Sequence, residues 1–213
     1  AEVKVVDEPV TVVVSQKGWV RTRQGHGHAV ESFAFKAGDG LYGTFECRTV
    51  DVLIVFGSNG RVYSVPVAQL PGGRGDGQPV TTLIELEAGT QLAHYYAGAG
   101  QALLLLANSG GYGFLARVEN MVARNRGGKA FVTLAEGEQL CPPAPVAGLP
   151  AGSEMPEATH VACVSVAGRL LTFELGELKQ QAQGGRGLML MALEDKDTLA
   201  AAVPYARAIR LSG

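Results

Sequence analysis

The stretch that decides the fold is VLIVFGSNGRVYSV, residues 52–65, in which an apolar run meets a glycine turn and a second run follows it. The same arrangement occurs three more times, as VTVVVSQKGWVRT (10–22), ALLLLANSGGYGFLARV (102–118) and VACVSVAGRLLTFEL (161–175). The predicted turn glycines are Gly18, Gly60, Gly110 and Gly168. Units that repeat about every 50 residues are typical of stacked or circularly arranged architectures.

Each repeat reads as a β-hairpin. The runs are short, rich in Val, Leu and Ile, and bounded by Gly, Asn or Ser, and the turns place glycine where a positive φ angle is needed. VLIVF and ALLLLA are apolar at every position, which is typical of a strand buried on both faces. The pattern predicts an all-β, propeller-like fold of four complete antiparallel blades, each of about 45–55 residues. The predicted blades are 10–50, 51–100, 101–147 and 160–205 of a single domain, 1–213.

Other segments recur between the hairpins. Weakly helical pieces are expected at VAQL (67–70), VENMV (118–122) and LGELKQQ (175–181). An apolar strand and an acidic turn are expected to close three units, at LIELEAG, FVTLAEG and MALEDK, whereas the first unit has FAFKAG there. A proline-rich loop, 141–156, joins the third unit to the fourth, and the last residues, AIRLSG, resemble the first strand of a further unit. We therefore expect a fragment of a longer subunit.

Composition argues against a disordered, a membrane-spanning helical or a secreted protein. The chain has 213 residues, of which 46% are hydrophobic and 18% charged, as expected of a folded protein. No apolar stretch has the length of a membrane helix, and no segment resembles a signal peptide. Cys47, Cys141 and Cys163 are scattered and without CxxC spacing, which favours buried thiols in a reducing compartment.

No pattern of catalytic or metal-binding residues is present in the sequence. His26 and His28 have no Cys or carboxylate at ligand spacing, so a surface loop is favoured over a metal site. GxSxG, P-loop and HExxH motifs are absent, and Tyr95, Tyr96 and Tyr112 are expected to be strand aromatics. We predict neither catalytic nor metal-ligating residues.

Basic residues are concentrated in glycine-bearing stretches that recur once in each repeat. These are RTRQGHG (21–27), GGRGDG (72–77), RNRGGKA (124–130) and GGRG (184–187), and the acids cluster instead at the closing turns. Around an axis, such stretches would form a basic band that neutralises phosphates, with glycines that let the backbone approach them. The alternative, a solvated basic face balanced by a solvated acidic one, stays open on these residues alone.

The chain resembles the C-terminal domain family of the A subunits of bacterial type IIA topoisomerases. Residues 57–86 and 108–138 carry the most specific likeness, and residues 8–27 are similar to the first blade of the family. The resemblance implies a β-pinwheel, whose neighbouring blades exchange strands. It also implies a non-catalytic domain that binds and bends duplex DNA along its outer rim, presents it to the cleavage core, and so tunes decatenation and supercoil relaxation.

The resemblance also implies which residues and molecules are involved. Partners would be double-stranded DNA, the topoisomerase IV B subunit, and the N-terminal cleavage core that belongs to the same polypeptide, with no membrane. No cofactor is expected here, because ATP and Mg²⁺ belong to other parts of the enzyme, and the location would be the bacterial cytoplasm, at the nucleoid. The residues expected to contact phosphates are Lys17, Arg21, Arg23, Arg61, Arg74, Arg117, Arg124, Arg126, Lys129, Arg169 and Arg186.

Two members of the family are distinguished by one motif. The gyrase A protein carries a QRRGGRG box in its first blade, whereas the matching stretch here is RTRQGHGHAVESFAF, 21–35. The nearest likeness, QAQGGRG at 181–187, lies in the fourth unit and lacks the two arginines. Topoisomerase IV, with weaker bending, is therefore favoured over a gyrase-type DNA-wrapping domain. A propeller-like protein-interaction scaffold and an enzyme with a site at the propeller axis are the hypotheses from other classes.

Overall fold

The computed structural model describes residues 4–146, 157–206, 209, 211 and 212. Contacts divide the chain into two compact units. Unit 1 comprises 1–57, 61–101 and 121–129, and unit 2 comprises 58–60, 102–120 and 130–213. Much of the predicted start of a fifth unit (208–213) and most of the proline-rich loop (147–156) lie outside the described residues.

The secondary structure consists of strands and short 3₁₀ turns, with no α-helix among the described residues. The strands are β1 (Pro9–Ser15), β2 (Trp19–Gln24), β3 (Leu41–Arg48), β4 (Val52–Gly57), β5 (Arg61–Pro66), β6 (Gln78–Pro79), β7 (Leu92–Gly98), β8 (Leu103–Ala107), β9 (Tyr112–Arg117), β10 (Lys129–Ala130), β11 (Ala144–Pro145), β12 (His160–Ser165), β13 (Leu170–Glu174), β14 (Leu188–Met189) and β15 (Leu199–Tyr205). The 3₁₀ turns are Val30–Ser32, Val67–Gln69, Val80–Thr82, Val118–Met121 and Leu175–Glu177. Three of these turns lie in the segments predicted to be weakly helical.

The strands form four antiparallel sheets, which confirms the all-β prediction. Their strand orders are β3-β1-β2-β6, β10-β5-β4-β7, β11-β8-β9-β14 and β13-β12-β15. In each of the first three sheets, the strand at one edge is a two-residue segment from the following repeat, namely β6, β10 or β14. The strand exchange implied by the resemblance is thus present. The four predicted antiparallel blades are therefore present, and the fourth has three strands among the described residues.

The hairpin turns are as predicted at three of four positions. Gly18, Gly60 and Gly168 have φ angles of 85°, 86° and 88°. In the third repeat it is Gly111, with φ 91°, and not Gly110, that takes the left-handed conformation. The prediction of Gly110 was wrong because NSGG offers two adjacent glycines, and the side chain of Asn108 accepts the N–H of Gly110 at 2.9 Å, which shifts the turn by one residue.

The predicted closing strands were also wrong. Across 83–89, 131–137 and 191–196, the backbone joins no ladder beyond an isolated bridge at Val132. Ile84, Phe131 and Met191 are nevertheless buried, because these segments cover a sheet with their side chains rather than extending it. The long closing strands, β3, β7 and β15, begin after the turn instead. In the third repeat this strand is only β11, since prolines at 142, 143 and 145 have no N–H to donate.

Each unit has its own core. Val55, Tyr63 and Val80 are among the fully buried members in unit 1, and Val161 and Cys163 in unit 2. The two all-apolar runs are buried on both faces as predicted: Leu53–Phe56 and Leu103–Leu106 are at most 5% exposed. These hairpins are the rigid supports against which the glycine-bearing stretches pack.

Candidate nucleic-acid interface

The glycine-bearing stretches lie along the second strand of the preceding hairpin. The N–H of Thr22 donates to the Pro71 carbonyl at 2.8 Å, and Thr22 forms a parallel bridge with Gly72. In unit 2 the N–H of Leu115 donates to the Lys179 carbonyl at 2.9 Å, and the N–H of Gln181 donates back to Leu115 at 2.8 Å. In these two cases the chain at or just before the glycine-bearing stretch is held on the neighbouring hairpin by backbone hydrogen bonds.

A side chain performs the same docking in the second hairpin. The hydroxyl of Ser64 donates to the Ala123 carbonyl at 3.2 Å and accepts from the Ala123 N–H at 3.0 Å. Thr22, Ser64 and Leu115 each stand four residues after the turn glycine of their hairpin. The sequence analysis did not identify these positions, although their constant spacing from the turn glycine could have indicated a shared structural role.

The glycines of these stretches serve the fold. A Cβ on Gly77, Gly128 or Gly187 would meet the carbonyl oxygen of Val20, Val62 or Gly113 on the preceding hairpin. All three glycines have positive φ angles, of 83°, 64° and 85°. We had expected the glycines of the basic stretches to let phosphates approach the backbone. At these three positions glycine instead allows two segments of the protein to lie close together.

Arg21 lies inside the protein although it was predicted to contact DNA. It is 7% exposed, and its guanidinium donates to the Gly75 carbonyl and, at 2.6 Å, to the Ala34 carbonyl. It also lies over the rings of Phe33 and Phe35. Desolvation and then the charge of Arg23 lower the pKa of Arg21. This arginine organises the loops around it.

Two further predicted arginines bind backbone carbonyls in unit 1. The Nε of Arg61 donates to the Gly127 carbonyl at 2.6 Å and its Nη2 to the Gly128 carbonyl at 3.1 Å, which ties the third glycine-bearing stretch to β5. Arg126 donates to Thr82 at 2.7 Å and to Leu83 at 3.2 Å, but its residue surface remains exposed. Both guanidinium groups hold loops by these hydrogen bonds, Arg61 from a half-buried position and Arg126 from an exposed one.

Three arginines of unit 1 remain directed at two open clefts. One cleft is lined by Arg23 and Arg74 together with Thr22 and Thr49, and one acid, Glu8, also borders it. Arg74 is exposed and has no hydrogen-bond or ion-pair partner within the described ranges, and Arg23 lies 5.2 Å from the ring centre of Phe33.

The second cleft is lined by Arg124 and Arg126 beside Ser64, Gln69 and Thr82. Arg124 is likewise exposed and unpaired among the residues that the structure describes. Cationic groups beside hydroxyls and amides can neutralise and hydrogen-bond phosphate oxygens.

The basic residues of unit 2 are placed differently. Arg186 lies 3.0 Å from the Glu138 carboxylate and 4.1 Å from the ring centre of Tyr112. Arg169 lies 3.7 Å from Glu194 and donates to the Ala192 carbonyl. The expected segregation of bases from acids is wrong here, because the acidic closing turns lie next to these arginines and neutralise them.

A cleft in unit 2 shows the same contrast. It is bordered by Thr159, His160 and Glu174 with Leu103 and Leu115, and no Lys or Arg belongs to its described lining. The charge available for an anionic ligand therefore differs between the two units. Arginines line both clefts described in unit 1, although Glu8 also borders the first of them, whereas the described lining of this cleft has Glu174 and no arginine or lysine.

The remaining predicted contacts lie at strand ends and turns. Lys17 is exposed in the first hairpin turn, where its N–H donates to the Asp39 carboxylate at 3.0 Å. Arg117 ends β9 and Lys129 begins β10, and both are half-buried. None of these three cations is among the described residues that line the two arginine clefts.

The two histidines of the first stretch bind backbone. The Nε2 of His26 lies 2.8 Å from the Cys47 carbonyl, and that of His28 lies 2.8 Å from the Gln24 carbonyl. No group of three or more His, Cys, Asp or Glu residues able to hold a metal occurs in the described parts of the chain. Nor does the described chain contain a helix long and apolar enough to cross a membrane.

The cysteines are free and buried, as predicted. Burial raises the pKa of Cys47 and Cys141 to about 11 and that of Cys163 to about 12. At pH 8 only about one in a thousand thiols of pKa 11 is ionised. We expect iodoacetamide to modify the folded chain very slowly at pH 8 and all three thiols readily in urea, as read by mass spectrometry. Rapid labelling of the folded chain would contradict this environment.

Comparison with known proteins decides the family. A family model described as the DNA gyrase C-terminal domain, beta-propeller, matches residues 51–83, 102–140 and 159–205, more than half of the chain. The chain belongs to the DNA gyrase C-terminal domain family. The resemblance predicted from the sequence is confirmed.

Two curated relatives are A subunits of DNA topoisomerase 4. The chain is 40% identical over 196 residues to the A subunit of DNA topoisomerase 4 from Neisseria gonorrhoeae, covering 91% of this chain and 25% of the relative. It is 34% identical over 177 residues to the corresponding protein of Escherichia coli K12, covering 83% and 22%. The chain thus spans about a quarter of the length of these curated relatives.

Solved structures agree with the family. The E. coli ParC C-terminal domain superimposes with a TM-score of 0.79 at 31% identity, covering 92% of this chain and 79% of that one. The DNA gyrase A C-terminal domain superimposes at 0.63 with 18% identity, covering 92% and 65%, which supports the fold alone. The likeness to the topoisomerase IV protein is therefore present in sequence and in structure.

Proposed function

We propose that this chain is a non-catalytic domain that binds and bends duplex DNA. The observation that carries the proposal is the pair of arginine-lined clefts in unit 1, where Arg23 and Arg74 border one and Arg124 borders the other. Membership of the family supports it, since the relatives are named as topoisomerase subunits. Contacts of this kind are made to phosphates, so binding is independent of sequence and sensitive to salt.

The geometry supports a division of labour between the predicted contacts. Arg23, Arg74 and Arg124 act as direct phosphate ligands, whereas Arg21 and Arg61 hold the loops that carry them. In unit 2, Arg169 and Arg186 are partly neutralised by carboxylates and contribute less. Lys17, Arg117, Arg126 and Lys129 would add to the general positive potential near the DNA.

The whole-enzyme role is proposed at the level of the topoisomerase IV A subunit. The domain would present DNA to the N-terminal cleavage core of its own polypeptide, in an enzyme completed by the B subunit. It would thereby tune decatenation and supercoil relaxation in the bacterial cytoplasm. The reactions that use ATP and Mg²⁺ would take place in other domains. In the fourth repeat, Gly184 and Gly187 pack on backbone atoms of Phe131 and Gly113, which supports an ordinary blade motif there and not a gyrase-type wrapping box.

The test is binding of the chain to short duplexes of unrelated sequence over a range of salt concentrations. We expect similar affinities for all duplexes and a linear fall of log K with log salt. Absence of binding at low salt would contradict the proposal.

Bending is tested by incubating the chain with relaxed circular DNA and resealing with a nicking-closing enzyme. We expect a small change in linking number. A large change in one direction would favour gyrase-type wrapping.

A further inference from the structure

Arg186 is held between a tyrosine ring and a carboxylate from the preceding repeat. Its Nη2 lies 3.0 Å from Oε1 of Glu138, and its guanidinium carbon lies 4.1 Å from the ring centre of Tyr112. The Arg186 side chain is 41% exposed, whereas that of Glu138 is only 10% exposed. The guanidinium is thus open to solvent, but a nearly buried acid neutralises it.

The acid at this position has another role in two other repeats. Asp39, Glu138 and Asp197 are equivalent, since each precedes the residue whose carbonyl accepts the N–H of the residue two places before a turn glycine. The carboxylate of Asp39 accepts the N–H of Lys17 at 3.0 Å, and that of Asp197 accepts the N–H of Ala167 at 3.0 Å. Both aspartates therefore cap the hairpin turn of their own repeat.

Glu138 does not cap its own turn. The N–H at the equivalent place, that of Gly110, donates to the side chain of Asn108 at 2.9 Å. The Oε1 of Glu138 accepts instead from the Ala135 N–H at 2.8 Å and from Arg186, and its Oε2 is buried without a hydrogen-bond partner among the described residues. The longer side chain of glutamate thus brings the charge to Arg186.

A phosphate group that reached Arg186 would have to displace this carboxylate. A guanidinium binds phosphate and carboxylate oxygens with the same N–H donors. Loss of the arginine would leave the nearly buried Glu138 with the Ala135 N–H as its remaining donor within the described residues, and a buried charge that loses its partner is strongly unfavourable. The internal carboxylate therefore excludes phosphate from Arg186.

The other arginine pair of unit 2 is more solvated. The Nη1 of Arg169 lies 3.7 Å from Oε1 of Glu194, and the Glu194 side chain is 79% exposed. An ion pair between exposed groups is weak, because water solvates each charge when the pair separates. Glu194 thus holds its arginine less firmly than Glu138 does, and the two acids form a matched pair for a test.

We infer that Glu138 limits duplex binding by unit 2, because it occupies the place of a phosphate oxygen on Arg186. The inference rests on the proposed DNA binding and adds the residue that sets how many phosphates the chain neutralises. Arg186 lies in GGRG, the counterpart of the stretches that carry Arg74 and Arg124. When the charge of Glu138 is removed, the ring of Tyr112 still holds the guanidinium, and Arg186 becomes an additional phosphate ligand.

The test compares the full 213-residue chain with Glu138→Gln by titrating a short fluorescein-labelled duplex and following its anisotropy. Glutamine keeps the size of the side chain and an acceptor for the Ala135 N–H. We expect the variant to bind DNA about fivefold more tightly at low salt, the effect of one additional hydrogen bond to a charged group. The slope of log K against log salt should become steeper by about one, because one more phosphate is neutralised.

Two controls assign the gain to Arg186. Glu194→Gln removes the same charge from unit 2 and should raise the affinity by less than about twofold, since its ion pair is solvated. The double variant Glu138→Gln/Arg186→Gln should lose the gain, because the released guanidinium is then absent.

A second variant guards against a fault in folding. Glu138→Asp introduces the residue that the two equivalent positions carry and shortens the reach toward Arg186. It should give a smaller gain in the same direction. Both variants should keep the circular dichroism spectrum of the parent chain.

The outcomes separate this inference from the proposed function. Parent-level affinity in both Glu138 variants, a gain of equal size in Glu194→Gln, or a gain that persists without Arg186 would overturn the inference and leave the proposed function standing. Duplex binding by Glu138→Gln with none by the parent chain would support the inference and overturn the role of the clefts in unit 1. Absence of binding by either chain would overturn both.

Discussion

Gly128→Ala is expected to lower the free energy of unfolding of unit 1 by about 3 kcal/mol or more. Gly128 has a φ of 64°, where an alanine costs about 1–2 kcal/mol relative to its preferred conformations. The added Cβ would also meet the carbonyl of Val62 and, at 2.9 Å, the ring of Tyr63, both in a buried and closely packed region. Overpacking of such a site typically adds about 1–3 kcal/mol.

The matched control is Gly89→Ala, also in unit 1. Gly89 has a φ of 79°, but a Cβ there would meet nothing within 4 Å. This variant should therefore show only the conformational cost, about 1–2 kcal/mol. Trp19 is the only tryptophan and lies in unit 1, so its fluorescence during urea unfolding follows that unit. Equal losses in the two variants would show that the close approach at Gly128 does not limit stability.

The double variant Arg74→Glu/Arg124→Glu is expected to weaken duplex binding by about a hundredfold at low salt. Each side chain is exposed and unpaired within the described ranges, so reversal does not break a bond within the protein. Each reversal removes a cation and adds an anion beside the DNA backbone. The slope of log K against log salt should decrease by about one for each phosphate that is no longer neutralised.

The control for this pair is Lys179→Glu/Lys196→Glu, which makes the same change of net charge in unit 2. Both lysines are exposed and line neither arginine cleft. We expect less than a fivefold loss of affinity from this variant, measured by the same titration, and the same loss for duplexes of different sequence. Equal losses of affinity in the two double variants would show that net charge, and not the arginine clefts, determines DNA binding.

Repetition in the sequence was sufficient to predict the hairpins. Short runs rich in apolar residues precede Gly18, Gly60 and Gly168, and they predict a tight turn between buried strands because burial and positive φ are local requirements. The family resemblance followed from the same stretches. The all-β class, the strand exchange it implied and the buried cysteines were therefore predictable.

Only the tertiary structure showed which arginines of the repeated stretches are bonded within the protein and which face an open cleft. Arg21 and Arg74 occur in similar basic stretches, yet one donates to carbonyls inside the protein and the other faces an open cleft. Arg186 looks equivalent to Arg74 in GGRG, but lies against Glu138, which is 48 residues earlier in the chain. Hydrogen bonds and ion pairs of this kind join distant segments, so their partners depend on how the chain folds back on itself. The sequence by itself determined the repeating hairpins, and the packing of each stretch on its neighbour decided which charges remain available to a ligand.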